Sequence, residues 1–286
     1  MLTLIGLAVV ICSVLGGFVL AGGNPAALLQ PSEIIVIVGT AIGTVLASTP
    51  SAVLKNTGAK LTSLIKPSPF GKGLYLQSLR LLYELFQMAR KDGLVAIESH
   101  IEKPKESALF KKYPDVLHQH HAVEFLCDSM RLVLVGSVPA HDLESLMDSE
   151  IDIHHENESK TAGVLQKVAD AFPGIGIVAA VLGIVVTMGA IAGPIEVIGE
   201  KVGAALTGTL IGVLLAYGFV GPLSTAIEFA NSAESRYYSF IKSAIVAFAK
   251  GFSPIVAAEF ARRSIFSEDR PSFAEMENAV KRQKAA

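Results

Sequence analysis

The sequence is poor in the residue types that carry enzyme chemistry and cross-linking. Tryptophan is absent from its 286 residues, and the two cysteines are Cys12 in an apolar run and Cys127 in a charged region. Two cysteines so placed offer neither a disulfide framework nor metal-ligand spacing, so we expect both to serve in packing. No nucleophile constellation, phosphate-binding loop or zinc pattern is present. The sequence therefore predicts no enzyme, no cofactor, no metal site and no nucleic-acid partner.

Charge is missing from long stretches of the chain, although 51% of the residues are hydrophobic. An apolar helix of about 20 residues spans a hydrocarbon core roughly 30 Å thick. Four runs approach or exceed that length: Leu2–Ala21, Ile34–Ala47, Ala171–Ile195 and Val202–Ile227. The first run lacks the basic start of a cleaved signal peptide, and a second run follows it closely. We therefore predict an all-α polytopic membrane protein with four transmembrane helices and a large helical cytoplasmic domain.

The apolar runs contain no acidic or basic side chain. Because ion translocation through a helix bundle normally uses an intramembrane ionisable group, another chain would have to supply the carboxylate for any ion that crosses here. Glu33 precedes the second run and is expected to lie at a membrane interface. The third and fourth runs are expected to form a hairpin whose linker is 196–201.

Small residues and hydroxyls are the remaining features of the fourth run. Its small residues recur every four positions, at Ala204, Gly208, Gly212 and Ala216, and so lie on one helix face. Such a face favours close helix contact, either within one subunit or between subunits. Among the hydroxyl side chains, Thr209 lies next to this face and is the best candidate for contact with an ion, with Tyr217 further along.

The distribution of basic residues predicts the orientation. Of 24 Lys and Arg residues, 14 lie in 50–170 and 9 follow residue 223, whereas the linker 22–32 has none. Because basic residues stay on the cytoplasmic side, we expect both termini and the large segment to be cytoplasmic. The resulting division is 1–49 for helices 1 and 2, 50–169 for a cytoplasmic domain, 170–223 for helices 3 and 4, and 224–286 for an extension and tail.

Helical periodicity covers the cytoplasmic segment. Leu74–Lys91 has apolar residues at spacings of three and four, with Gly93 as a stop signal. Shorter helices are predicted at 94–100, 116–135 and from His141 toward Asp152, and His154 and His155 are expected in a polar linker. The fourth membrane helix is expected to continue to Lys250, Arg270-Pro271-Ser272 to break any helix, and 281–286 to be frayed.

Several segments together resemble the motility protein A (MotA) family of bacterial flagellar stators. They are Leu2–Ala21 with Gly22-Gly23, Leu81–Glu98, Pro173–Gly183, Gly208–Pro222 with its Leu-Leu-Ala-Tyr-Gly motif, and Glu268–Phe273. The resemblance covers nearly the whole chain and includes the four-helix topology. It implies a ring of five copies in the bacterial inner membrane, around a dimer of MotB. That partner contributes a membrane helix bearing the ion-carrying Asp and a peptidoglycan-anchored domain.

The resemblance also assigns roles to individual residues. Pro173 and Pro222 match two prolines, at the cytoplasmic ends of helices 3 and 4, that couple ion passage to movement. Arg90 and Glu98 match charged residues that contact the rotor protein FliG, and the neighbouring Lys91 and Glu150 are weaker candidates for that contact.

The expected ion and function class depend on how the chain differs from related families at single positions and in its number of membrane helices. Sodium-driven relatives have a Thr where this chain has Ala180 and keep the Thr that corresponds to Thr209, so the resemblance favours protons. The expected function is a proton-driven stator subunit. Alternatives are an energiser of envelope transport like ExbB or TolQ, which typically has three membrane helices, and a purely structural membrane scaffold, which would not need Pro173 and Pro222.

Overall fold

A computed structural model of the chain describes residues 2–281, and all of the regular structure in that range is helical. The chain divides into two compact units. Unit 1 comprises Met1–Pro67 and Asn157–Ala230, and unit 2 comprises Ser68–Glu156 and Asn231–Ala286. The predicted fraying at 281–286 lies, from residue 282 onward, outside the described residues.

Unit 1 contains the apolar helices. Its elements are α1 (Leu2–Leu20), a 3₁₀ turn (Pro25–Leu28), α2 (Pro31–Ser48), α3 (Ser51–Ser63), the last part of α9 (Ala140–Met188), α10 (Ile195–Leu214), a π-helical segment (Leu215–Val220) and the start of α11 (Gly221–Ala249). Four helical stretches in the described residues are long and apolar enough to cross a membrane: α1, α2, α9 and the continuous run Ile195–Ala249. The prediction of an all-α chain with four membrane helices is confirmed.

The exposed surface of unit 1 fits a lipid environment. Helix α1 buries none of its side chains, and aliphatic residues such as Leu4, Ile35 and Val185 are exposed. In water such surface would be costly, whereas lipid tails are as apolar as these side chains. The small buried core of unit 1 lies where α2, α9 and the π-helical segment meet, with α10 packed beside it.

The linker between the third and fourth membrane helices differs from the prediction. Helix α9 ends at Met188 and α10 already begins at Ile195, so 196–201 are helical and the connection is Gly189–Pro194. Pro194 is the N-cap residue, and Glu196 lies in the first turn, where a negative charge interacts favourably with the helix dipole. The charges that suggested a loop are those of a helix N-terminus.

Unit 2 is built around α4. Its helices are α4 (Lys72–Asp92), α5 (Val95–Glu102), α6 (Ala108–Lys111), α7 (Pro114–Leu117), α8 (His120–Val135), the first part of α9, the remainder of α11, α12 (Pro254–Arg263) and α13 (Phe273–Lys281). Helix α4 ends at Asp92, and Gly93 just after it has a φ of +90°, which favours glycine, as its position in the sequence predicts. The predicted helix at 116–135 is divided into α7 and α8.

The core of unit 2 combines the apolar face of α4 with aromatic residues of α11. Leu79, Leu82 and Phe86 are fully buried, and the Phe86 ring stacks on Phe248 with centroids 4.4 Å apart. The Tyr237 hydroxyl lies 2.7 Å from the Ser78 hydroxyl, so this buried polar group is paired. Helices α12 and α13 pack on α4 and complete the core.

The polar segment around His154 is not a linker, contrary to the prediction, because α9 continues without a break from Ala140 to Met188. The His154 ring packs 4.6 Å from the Tyr238 ring, and its Nε2 lies 3.6 Å from a Glu234 carboxylate oxygen. These partners on α11 explain why polar residues occur on this face of a long helix.

The predicted helix break at Arg270-Pro271-Ser272 is present, and a helix follows it. The Glu275 amide donates to the Ser272 hydroxyl at 3.2 Å, and the Ser272 amide donates to the Glu275 carboxylate at 2.7 Å. These reciprocal bonds form a capping box, which starts α13.

Candidate functional site

The small-residue face of α10 packs against α9 of the same chain. A Cβ built on Gly212 would lie 2.6 Å from the Phe172 carbonyl oxygen and 2.8 Å from the Gly176 Cα, and one built on Gly176 would lie 2.9 Å from the Gly208 carbonyl oxygen. Backbone meets backbone here, which requires glycine on both helices. Of the two alternatives for this face, Gly208 and Gly212 therefore serve contact within one subunit.

Ala180 and Thr209 lie on the two helices of this contact. Ala180 is 8% exposed, and its amide nitrogen lies 3.3 Å from the Cβ position of Gly208. The Thr209 Cα lies 3.4 Å from the Cβ position of Gly176. The structure therefore brings these two candidate ion-pathway residues to the same helix pair.

The membrane hydroxyls fall into two groups. Thr187 donates to the Gly183 carbonyl at 2.8 Å and Thr207 to the Gly203 carbonyl at 3.0 Å, so both are satisfied within their own helices. Within residues 2–281 the half-buried Thr209 hydroxyl makes no such bond, which leaves it available to another group. Tyr217 is 74% exposed and lies on the π-helical segment.

Glu33 is the residue of this region that sequence reasoning missed. Its expected position at a membrane interface stays a prediction, but the structure adds that its side chain is only 6% exposed and that its oxygens lie against Gly183 of α9 and Gly208 of α10. Its Oε2 has no hydrogen-bond partner and lies 2.8 Å from the Cβ position of Gly208. The available signal was an acid in the first turn of an apolar helix, one helix away from a small-residue face.

Pro222 lies two residues after the end of the π-helical segment. Proline has no amide hydrogen, and its ring collides with the carbonyl four residues before it, here that of Gly218. The helix widens instead, and the Gly221 amide donates to the Ala216 carbonyl five residues earlier. Such π-helical turns occur frequently at functional sites.

Pro173 lies in the interior of α9, and neither proline ends a helix. Each helix continues for more than five turns beyond its proline, so neither proline is a plain helix terminus, and their position at the cytoplasmic ends of the membrane spans stays a prediction. The Ser224 hydroxyl donates to the Ala162 carbonyl, which places Pro222 near residue 162. At 1.5 Å per residue, Pro173 lies roughly 15 Å further along α9, so the two prolines occupy different depths.

Two of the candidate rotor-contact residues, Arg90 and Lys91, lie in the last turn of α4, and a third, Glu98, lies in the first turn of α5. The Arg90 guanidinium donates to the carbonyl oxygens of Gly251 at 3.5 Å and Phe252 at 3.1 Å, just after the end of α11. Lys91 is exposed, and Glu98 is exposed on α5. Arg90 therefore has a structural contact in addition to its charge.

Glu150, the fourth candidate, is an exposed residue on α9. Partial burial raises the pKa of its carboxyl group, and the negative charges of Asp128 and Glu124 raise it further. Glu150 therefore belongs to an acidic surface formed together with α8.

Comparisons with known proteins agree with this architecture. The family model for the motility protein A N-terminal region matches residues 4–93, and that for the MotA/TolQ/ExbB proton channel family matches residues 118–238. Motility protein A of Escherichia coli (strain K12) is 36% identical over 281 residues, which cover 98% of this chain and 95% of the relative. Chemotaxis protein LafT of Vibrio parahaemolyticus is 34% identical over 273 residues, 96% of each chain.

Solved structures share the fold. The structure of C. jejuni MotAB matches with a TM-score of 0.78 at 22% identity, covering 94% of this chain and 98% of the other. The flagellar MotAB stator complex from Bacillus subtilis matches with a TM-score of 0.70 at 20% identity, covering 90% and 92%. Since the family models cover most of the chain and relatives above 30% identity align almost end to end, the chain belongs to the motility protein A family, within the MotA/TolQ/ExbB proton channel family.

Proposed function

We propose that this chain is a subunit of an ion-driven flagellar motor stator, which converts proton flow into torque on the rotor together with a MotB-like partner. The end-to-end relationship to proteins named motility protein A carries this proposal. The relative named chemotaxis protein LafT and the fold shared with MotAB complexes support it. The chain acts mechanically, without covalent catalysis.

The partner supplies the carboxylate that carries the ion. The α9 and α10 contact is formed by glycine, alanine and hydroxyl residues. Five copies of the chain form a ring around a MotB-like dimer, whose membrane Asp faces α9 and α10. Thr209, with its hydroxyl not engaged within the described chain, is the residue best suited to contact the partner. Ala180 on α9 offers no second hydroxyl ligand, which favours a proton over a sodium ion.

Pro173 and Pro222 couple ion passage to movement. Each leaves one carbonyl, at Ala169 or Gly218, without its usual donor four residues later, so these turns can change conformation without breaking a complete hydrogen-bond ladder. One elementary charge that crosses 100 mV releases about 2.3 kcal/mol. That energy shifts a two-state equilibrium roughly fiftyfold, which is sufficient for one small movement per proton.

The second unit transmits this movement to the rotor protein FliG. Arg90, Lys91, Glu98 and Glu150 offer exposed charges for a contact that forms and breaks at every step. Exposed ion pairs contribute at most about 1 kcal/mol and are screened by salt, which suits a transient contact. The protein resides in the bacterial inner membrane with both termini and this unit in the cytoplasm.

Complementation of a strain that lacks its stator genes tests the proposal. We expect the chain together with its natural MotB-like partner to restore rotation of tethered cells, whereas the partner alone does not. Pro222→Leu should still assemble in the membrane but lose most of the rotation. Normal swimming by Pro222→Leu cells would contradict the coupling role and favour a scaffold.

An energiser like ExbB or TolQ is the alternative within the same broad family. The match of residues 4–93 to the motility protein A N-terminal model, and the four candidate membrane helices of the described chain, favour the stator. Failure to restore rotation, combined with restored outer-membrane import in a strain without its own energiser, would reverse this preference.

A further inference from the structure

Glu33 occupies a cradle of small residues within unit 1. Its Oε2 lies 2.8 Å from the position that a Cβ on Gly208 would take, and its Oε1 lies 3.5 Å from the corresponding position on Gly183. Any larger residue at position 208 would displace the carboxyl group. The glycines of α9 and α10 therefore allow these two helices to pack closely and also leave space for the Glu33 side chain of α2.

The carboxyl group borders a cavity of about 270 Å³ formed by α2, α9 and α10. Most of the lining is aliphatic, including Val36, Leu182 and Val186, and the polar members besides Glu33 are Ser32 and Lys201. The lining contributed by α9 contains no titratable group, and that contributed by α10 contains Lys201 alone. The cavity is large enough to hold several water molecules beside Glu33.

An unpaired carboxylate is costly to bury, and Glu33 Oε2 has no hydrogen-bond donor. The cost is removed when the group binds a proton or a cation. The side chains of the cavity lining supply one carboxylate and one hydroxyl, which are fewer oxygen ligands than a hard metal cation usually takes. A proton needs no such set of ligands, so the surroundings of Glu33 favour a proton.

We propose that Glu33 is a proton-binding site of this chain, located in the translocation pathway in addition to the acid expected on the partner. The carboxylate accepts a proton from water in the cavity and becomes a neutral carboxylic acid, and it returns the proton to water when it is released. Lys201 lines the same cavity, and its positive charge makes the ionised form of Glu33 less costly. The assignment to the pathway rests on the proposed stator function, whereas proton binding itself does not.

The position of Glu33 connects this site to the helix contact. Gly208, against which the carboxyl group rests, is the neighbour of Thr209 along α10, and its Cβ position lies 3.2 Å from the Ala179 Cβ. Ala179 in turn precedes Ala180. A change of charge at Glu33 therefore acts on the two helices that carry the candidate ion-pathway residues.

Chemical labelling tests proton binding without requiring rotation. Dicyclohexylcarbodiimide, an apolar reagent that reacts with protonated carboxyl groups, is applied to membrane vesicles containing the chain with its partner, and adducts are located by mass spectrometry. We expect an adduct at Glu33 whose yield falls as the pH rises, and no adduct at the exposed Glu196 and Glu200 of α10. The Glu33→Gln variant should lose the adduct. Absence of an adduct at Glu33 at every pH tested would overturn the proposal.

Rotation of tethered cells tests the place of Glu33 in the pathway. Glu33→Gln should lose most of its speed while remaining in the membrane fraction with the partner, and Glu33→Asp, which keeps the acid, should retain part of it. Glu196→Gln and Glu200→Gln are the matched controls and should rotate like the parent. Rotation of Glu33→Gln at the parental speed across the external pH range would overturn the pathway role. Failure of the parent chain itself to support rotation would instead contradict the stator function and leave the labelling result standing.

Discussion

Gly212→Ala should weaken the contact between α9 and α10. The added methyl group would lie 2.6 Å from the Phe172 carbonyl oxygen, which is 0.8 Å inside the 3.4 Å at which ordinary contact begins. It would also lie 2.8 Å from the Gly176 Cα. Both neighbours are backbone atoms of a continuous helix, so neither can rotate away and the helices must separate.

Two opposing free-energy terms set the size of the stability change caused by Gly212→Ala. Alanine is a better helix former than glycine by roughly 0.5–1 kcal/mol, whereas overpacking of a well-packed contact costs about 1–3 kcal/mol. The first term is shared by Gly203→Ala on the same helix, where the added methyl group meets nothing within 4 Å. The difference between the two variants isolates the contact and corresponds to roughly a five- to hundredfold change in an equilibrium constant.

Thermal unfolding of the complex of the chain with its partner in detergent provides the measurement. We expect a lower midpoint for Gly212→Ala than for Gly203→Ala, and slower rotation of tethered cells. Equal midpoints for the two variants would refute the inference that this face serves close packing within one subunit.

Three further predictions concern charge and ion choice. Arg90→Glu should reduce torque, most strongly at low salt, and a charge reversal on the rotor protein should restore part of it; unchanged rotation at low salt would dismiss the contact. Hydrogen bonds from Arg262 and Arg263 lower the pKa of Glu259 to about 2, so its ionised form stabilises the folded state above the unfolded pKa and that contribution is lost as the pH falls from about 4.5 toward 2. Glu259→Gln should therefore lower the thermal midpoint at neutral pH, by an amount that shrinks on acidification; a difference independent of pH would contradict this. Rotation should not follow external sodium at a fixed proton gradient, because Ala180 lacks the hydroxyl of sodium-driven relatives.

The sequence predicted helices best where one signal dominated. Long uncharged runs identified the membrane helices, and Gly93 identified the end of α4, because apolar length and a required left-handed φ depend on few neighbours. Glu196–Lys201 and the segment around His154 were misassigned to linkers because local polarity was taken as a loop signal. In the structure a helix N-terminus and partners on α11 account for these polar residues.

The sequence identified individual residues of the candidate site, but it did not predict which of them contact each other across helices. The four-residue spacing identified the small face of α10, whereas its partner on α9 could be assigned only from the contact between Gly212 and Gly176. Glu33 was missed for the same reason, since burial of an acid in the first turn of α2 depends on two helices more than 140 residues away. The position of the π-helical segment before Pro222 likewise depends on the backbone conformation of the preceding residues, which the sequence pattern does not reveal.

Gly208 serves two contacts at once, and this separates its expected behaviour from that of Gly212. A methyl group at position 208 would lie 2.8 Å from Glu33 Oε2, an atom at the end of a flexible side chain, and 3.2 Å from the Ala179 Cβ. The carboxyl group can move toward the cavity, so Gly208→Ala should cost less stability than Gly212→Ala while it displaces Glu33 from its cradle. We therefore expect Gly208→Ala to change the pH dependence of carbodiimide labelling at Glu33, and Gly212→Ala to lower the thermal midpoint with that pH dependence unchanged. Equal effects of the two substitutions on both measurements would mean that Glu33 responds only to the general separation of α9 and α10.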